Sequence, residues 1–139
     1  MPNEPFTCGL DAALAVIGGK WKPLILFYLA HETRRYGALK RCLRGVSDKM
    51  LIQQLKELQA DGAVDRTDYR EIPPRVEYSV TPFGTSLALS LAPLCAWGEE
   101  HSATIAAAID RRNGSSIPIA AEQLKALKGQ IARRRSDQG

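Results

Sequence analysis

Between Val46 and Gly84 the chain reads VSDKMLIQQLKELQADGAVDRTDYREIPPRVEYSVTPFG, a helical pattern that gives way to two strand patterns. Leu51, Leu55 and Leu58 recur at helical spacing, Ser47 offers an N-cap oxygen, and Asp48 stands where the helix dipole favours an acid. Gly62 stops the helix. From Arg75 to Thr81, Val76, Tyr78 and Val80 alternate with Arg75, Glu77 and Ser79, the period of a strand with one covered face. Val64 to Arg70 supplies its partner, and Pro73-Pro74 turns the chain between them. A helix with one apolar stripe, followed at once by a hairpin with a basic tip, predicts an α+β winged helix-turn-helix, mostly helical with a two-stranded wing.

Such a fold implies double-stranded DNA as partner, and the distribution of charge supports it. The formal charge is only +4, a weak argument if evenly spread. From Arg34 to Lys49, however, Arg34, Arg35, Lys40, Arg41, Arg44 and Lys49 face the single acid Asp48. That block leads into the proposed recognition helix, where phosphates are met. With the leucines turned inward, Ser47, Lys49, Ile52, Gln53 and Lys56 are left towards solvent. Lys49 suits a guanine edge or a phosphate, Gln53 suits paired hydrogen bonds to adenine, and Ser47 with free backbone amides suits a phosphate. Arg35, Lys40 and Arg41 join this set from the lead-in, and Arg70 and Arg75 from the wing, against the backbone or in the minor groove. A plainer account stands beside each: an amphipathic surface helix carries polar residues anyway, and the wing arginines pair with Glu71 and Glu77. Tyr69 and Tyr78 suit a stacking platform for single strands, but on a hairpin they serve more often as apolar cover.

The remaining elements surround this unit. Leu10, Ala13, Leu14 and Ile17 mark a first helix from Cys8, closed by Gly18-Gly19. A second starts at Lys20-Trp21-Lys22-Pro23 and turns Leu24, Ile25, Tyr28 and Leu29 inward. Tyr36, Leu39 and Leu43 define a short third helix that carries Lys40 and Arg41 outward. After the hairpin, Thr81-Pro82 opens a long helix along Leu87, Leu91, Leu94, Trp97 and Ile105 to about Ile109, with Pro93 expected to kink it. Leu124, Leu127 and Ile131 mark a last amphipathic helix. The expected organisation is therefore a winged-helix domain over 8–112 with dimerisation helices at its ends, a C-terminal helix over 117–135, and a basic tail to 139.

Other classes find little support. No apolar run is long enough to cross a bilayer and the N-terminus lacks a signal-peptide pattern, so no membrane and a cytoplasmic location are expected. Cys8, Cys42 and Cys95 are odd in number and widely spaced, and His31 and His101 have no nearby second ligand, so no metal and no cofactor are expected. There is no nucleophile elbow and no phosphate-binding glycine loop, and an enzyme is not expected.

Gly19-Lys20-Trp21, Arg35-Tyr36, Ser47 with Lys49, Met50 and Leu51, Asp61-Gly62, Pro73-Pro74-Arg75-Val76-Glu77-Tyr78 and Thr81 with Gly84 closely resemble the HxlR-type transcriptional regulators. The resemblance spans Cys8 to about His101. It implies a winged-helix DNA-binding protein of MarR-like architecture, a homodimer formed through its terminal helices, and an N-terminal cysteine that senses oxidants in some members. Cys8 takes that place, ahead of a helix whose N-terminus favours thiolate; a small residue without chemistry is the alternative. Repression from a palindromic operator is the default expectation, relieved by oxidant at Cys8 or by a small-molecule effector near Trp21 and Trp97. A protein-interaction module without DNA is the remaining alternative. Tyr36-Gly37-Ala38-Leu39 departs from the family's usual pattern at the start of the third helix, and the tail beyond Asn113 matches nothing in it.

Overall fold

A computed structural model describes residues 5–114 and 129–130. The elements run α1 (Gly9–Ile17), α2 (Trp21–His31), β1 (Arg34–Arg35), α3 (Tyr36–Cys42), α4 (Asp48–Ala60), β2 (Val64–Asp68), β3 (Val76–Val80), α5 (Pro82–Glu100) and α6 (Ser102–Arg112). The expected C-terminal helix with Leu124, Leu127 and Ile131 lies outside the described residues. Two compact units divide the chain between Ala96 and Trp97, so that α5 begins in the first and ends in the second. Among the described residues no single helix is long and apolar enough to cross a membrane.

The core of the first unit is built by α2, α3, α4 and the sheet. Ile25, Leu26 and Leu29 of α2, Leu39 and Leu43 around α3, and Leu51, Leu55 and Leu58 of α4 are all buried, closed over by Val64 and Tyr78. Burying each such leucine or isoleucine contributes about 2 kcal/mol, and here the same contacts set the angle of α4. Leu26 is a correction to the expected inward face of α2, where Leu24 and Tyr28 are only half-buried. The cause is the crossing of α2 against both α4 and β3, which covers a wider stripe than one packing partner would.

The wing is also larger than the hairpin the sequence predicts. Arg34 and Arg35 form a short third strand opposite Tyr78 and Glu77, and the antiparallel order is β1-β3-β2. Two arginines carry no alternation, so only their long-range pairing reveals the strand. In the expected hairpin, Val64 pairs with Val80 and Asp68 with Val76. This register puts Val64, Arg66, Val76, Tyr78 and Val80 on one face of the sheet.

The root of the wing is tied by one side chain. The Thr81 hydroxyl donates to the Gly62 carbonyl at 2.6 Å and accepts from the Gly84 amide at 3.0 Å, while the Thr81 N–H donates to the Ala63 carbonyl at 3.1 Å. Gly84 is buried there, and a Cβ on it would fall on the Ala63 carbonyl, so only glycine allows this approach. Gly62, at φ +77, makes the turn between α4 and β2.

The long helix expected to reach Ile109 is two helices. It passes through Pro93 but ends at Glu100, and α6 starts at Ser102. At the junction the His101 ring stacks on Trp97 at 4.6 Å, and its Nδ1 lies 2.9 Å from the Trp97 carbonyl that also accepts the His101 N–H. A side chain competing for the carbonyl of the preceding turn favours a break at that point.

Candidate DNA-reading surface

The recognition helix is fixed from inside and capped from outside. Leu51, Leu55 and Leu58 hold it to the core, and the Met50 N–H donates to Ser47 Oγ at 3.1 Å, as the N-cap pattern predicts. Ser47 therefore spends its oxygen on the helix, accepting there as an N-cap. The opposite face presents Lys49, Ile52, Gln53 and Lys56 to water, all exposed.

Asp48 has more to do than favour the dipole. Its Oδ1 accepts from the Tyr36 hydroxyl at 2.6 Å and pairs with Lys40 Nζ at 2.9 Å, joining the start of α3 to the start of α4. The Tyr36 hydroxyl, backed by Lys40, holds the Asp48 carboxyl below its ordinary range. Burial, reinforced by the neighbouring carboxylate, pushes the Tyr36 phenol up to about 12. Sequence spacing alone does not reveal this pair, because its members lie in different helices. On the other side of α4, Lys22 Nζ pairs with Glu57 at 3.0 Å and ties α2 to the helix's second half.

The basic lead-in divides into two groups. Arg34 is structural: its Nε donates to the Tyr28 carbonyl at 3.2 Å and it pairs with Glu32 at 3.1 Å. Lys40 is half-buried and engaged by Asp48, whereas Arg35, Arg41, Arg44 and Lys49 are exposed. Between α4 and the sheet runs an open groove to which Lys56 and Arg66 contribute from opposite sides, with Leu55 and Tyr78 also lining it. Arg66 was not among the sequence-derived candidates. Its cross-strand pairing with Tyr78 places it on the helix-facing side.

On the outer side of the wing, Arg75 is held in place. It lies 3.2 Å from Glu77, 3.7 Å from Glu71, and 3.9 Å from the centre of the Tyr69 ring. Its pairing with Glu71 and Glu77 is the plainer account of the sequence. Arg70, by contrast, is exposed and enters no ion pair among the described residues; its N–H donates to Asp68 at 2.9 Å from a left-handed backbone, φ 52. Tyr78 is buried as cover for the helices, while Tyr69 stands against Arg75.

The two tryptophans named for an effector fall in different units: Trp21 packs on the first unit's core beneath Lys20, and Trp97 stacks with His101 in the second. Cys8 is exposed at the N-cap of α1, and the backbone N–H groups of Asp11 and then Leu10, with the Thr7 side chain, hold its thiol below the ordinary value. Cys42 is half-buried and Cys95 exposed. Among the described residues no group of His, Cys, Asp and Glu could hold a metal ion.

A helix anchored by buried leucines, free on its polar face and followed by a three-stranded wing, defines a winged-helix DNA-binding protein. The family model described as HxlR-like helix-turn-helix matches residues 16–106, and the chain belongs to this family of transcriptional regulators. It is 46% identical over 101 residues to the HTH-type transcriptional regulator YtcD of Bacillus subtilis, covering 73% of this chain and 80% of that protein. Its fold is similar to that of a protein from Porphyromonas gingivalis assigned to the MarR family, at 39% identity and TM-score 0.65, covering 68% and 92% of the two chains. It is also similar to the redox regulator HypR in its reduced form, at 35% identity and TM-score 0.67, covering 72% of this chain and 99% of that one.

Proposed function

We propose that the chain acts as a homodimeric repressor on a palindromic operator, each α4 entering one major groove and each wing touching the flank. The observation that carries this is the outer face of α4: Lys49, Gln53 and Lys56 stand free on a helix whose other face is buried. Gln53 reads a base, and Lys49, with Arg35, Arg41 and Lys56, meets phosphates. Lys40 joins them only if it leaves Asp48, and Arg75 supports the wing as much as it touches DNA.

A second copy is called for by the terminal helices. Leu10 and Leu14 of α1, and Leu89 and Leu94 of α5, are half-exposed or more, and burying them against another chain removes apolar area from water. In a twofold dimer the half-sites lie about one helical turn, roughly 34 Å, or a multiple apart.

The switch is assigned to Cys8. Its thiol is exposed and its thiolate is favoured by helix N-terminal amides, the environment that makes a cysteine reactive. That HypR, a relative of similar fold, is a redox regulator supports the assignment. The test is selection of bound fragments from random duplex DNA by the full-length chain, with and without diamide. Wild type should return one palindrome and release it under diamide, and Cys8→Ser should retain it. A Cys8→Ser protein that still releases its DNA under diamide removes Cys8 from the mechanism.

A further inference from the structure

We infer that Ile72, at the tip of the wing, is an apolar wedge for the minor groove of double-stranded DNA. The inference rests on the DNA-reading function proposed above and adds to it a specificity-determining residue. Ile72 is 99% exposed, more than any other large apolar side chain among the described residues. A lone exposed isoleucine is ordinary on a protein surface; its setting here is not.

First, the position is one where polar residues and glycine usually serve, in the turn between β2 and β3. Pro73 and Pro74 follow immediately, so the backbone beside the isoleucine has little freedom to fold the side chain back. Second, the charges around the tip are spent on each other. Glu71 and Glu77 hold Arg75, the Tyr69 hydroxyl donates to Glu77 at 3.0 Å, and Asp68 accepts from the Arg70 N–H and pairs with Arg66 at 4.0 Å. From Val64 to Val80 the acids Asp65, Asp68, Glu71 and Glu77 outnumber Arg66, Arg70 and Arg75. The wing is therefore not a general cationic arm. What its tip offers freely is Ile72, with the exposed Arg70 two residues before it in the chain.

That combination matches how minor-groove proteins work: an arginine is drawn by the potential of the groove, and an apolar side chain opens a base step. With α4 in the major groove and each wing touching the flank, as proposed above, the tip falls at the edge of the half-site. The occupant is thus a flexible pyrimidine–purine or A·T-rich step outside the bases read by α4. Sequence preference at that flank arises from the ease of unstacking, without a hydrogen bond to a base edge.

The test uses the duplex returned by selection with the full-length wild-type chain, carrying 2-aminopurine at the flanking steps and an energy-transfer pair at its ends. Ile72→Ala should weaken binding about tenfold for each wing, the effect of half-burying the carbons it lacks. It should also abolish the 2-aminopurine enhancement and straighten the duplex, while Ile72→Leu keeps all three signals. Because the side chain is bathed in water, both variants should melt with wild type. Wild-type affinity in Ile72→Ala, or weaker binding with base stacking and bend unchanged, overturns the wedge. If instead no duplex is enriched, or Lys49→Ala and Gln53→Ala bind as wild type does, the DNA reading fails, and the wedge with it.

Discussion

α4 and α1 are both amphipathic, yet they treat their leucines in opposite ways. On α4, Leu51, Leu55 and Leu58 are buried to the last per cent, and everything outward is polar except Met50, Ile52 and the terminal Ala60. On α1, only Ile17 is buried, while Leu10 is 68% and Leu14 50% exposed. The same periodicity thus serves two ends. In α4 it aims a polar face outward, and in α1 it leaves exposed the apolar surface proposed above to meet a second chain.

The sharpest way to break this comparison is to shorten one leucine in each helix. Leu55→Ala should cost about 2–5 kcal/mol of stability, measured by urea unfolding, because the carbons it removes are buried in the core. Leu14→Ala should leave the unfolding of the monomer almost unchanged and instead raise the dimer dissociation constant, seen by sedimentation at falling concentration. Equal losses of stability from the two, with the oligomer unaltered, would dissolve the distinction.

A smaller effect is expected on the outer face of α4. Gln53→Ala should lose about 1–3 kcal/mol of discrimination at one base pair, with an unchanged melting temperature. Lys49→Ala should weaken all sequences alike and flatten the dependence of log affinity on log salt by about one unit. The opposite pattern would exchange their roles.

The smallest effect concerns how α4 is held at its start. Because the carboxyl of Asp48 is lowered in the folded chain, its contribution is present above the ordinary carboxylate range and is lost as pH falls through the lowered value. Asp48→Asn should therefore lower the melting temperature slightly at pH 7, and the difference should vanish in acid. A difference that persists in acid would assign the effect to the helix cap or packing and not to this charge.

What the sequence made legible is local. The leucine stripe of α4, the Ser47 cap, the strand alternation about Tyr78 and the Thr81 helix start all depend on neighbours within a turn or two. The features it hid are contacts between distant positions. β1 consists of two arginines recognisable only through Tyr78 and Glu77, and Asp48 meets Tyr36 across separate helices. Within the surface, exposure of Lys49, Gln53 and Lys56 followed from period and the pairing of Arg75 with Glu71 and Glu77 from their nearness in the chain, but the engagement of Lys40 by Asp48 could not be known until the two helices were placed. The break at His101 also escaped, since the apolar line continues through it while the backbone does not.

The joint at Thr81 bears on which parts of this molecule can change length. One hydroxyl bonds the exit of α4 and the entry of α5 at once, so valine, with the same outline, would orphan a carbonyl and an amide together. The hairpin beyond that joint hangs from a closed clasp. Residues can be added or removed around Ile72 to suit a different flank, and neither the reading helix nor the helix leading to the second unit has to be re-aimed.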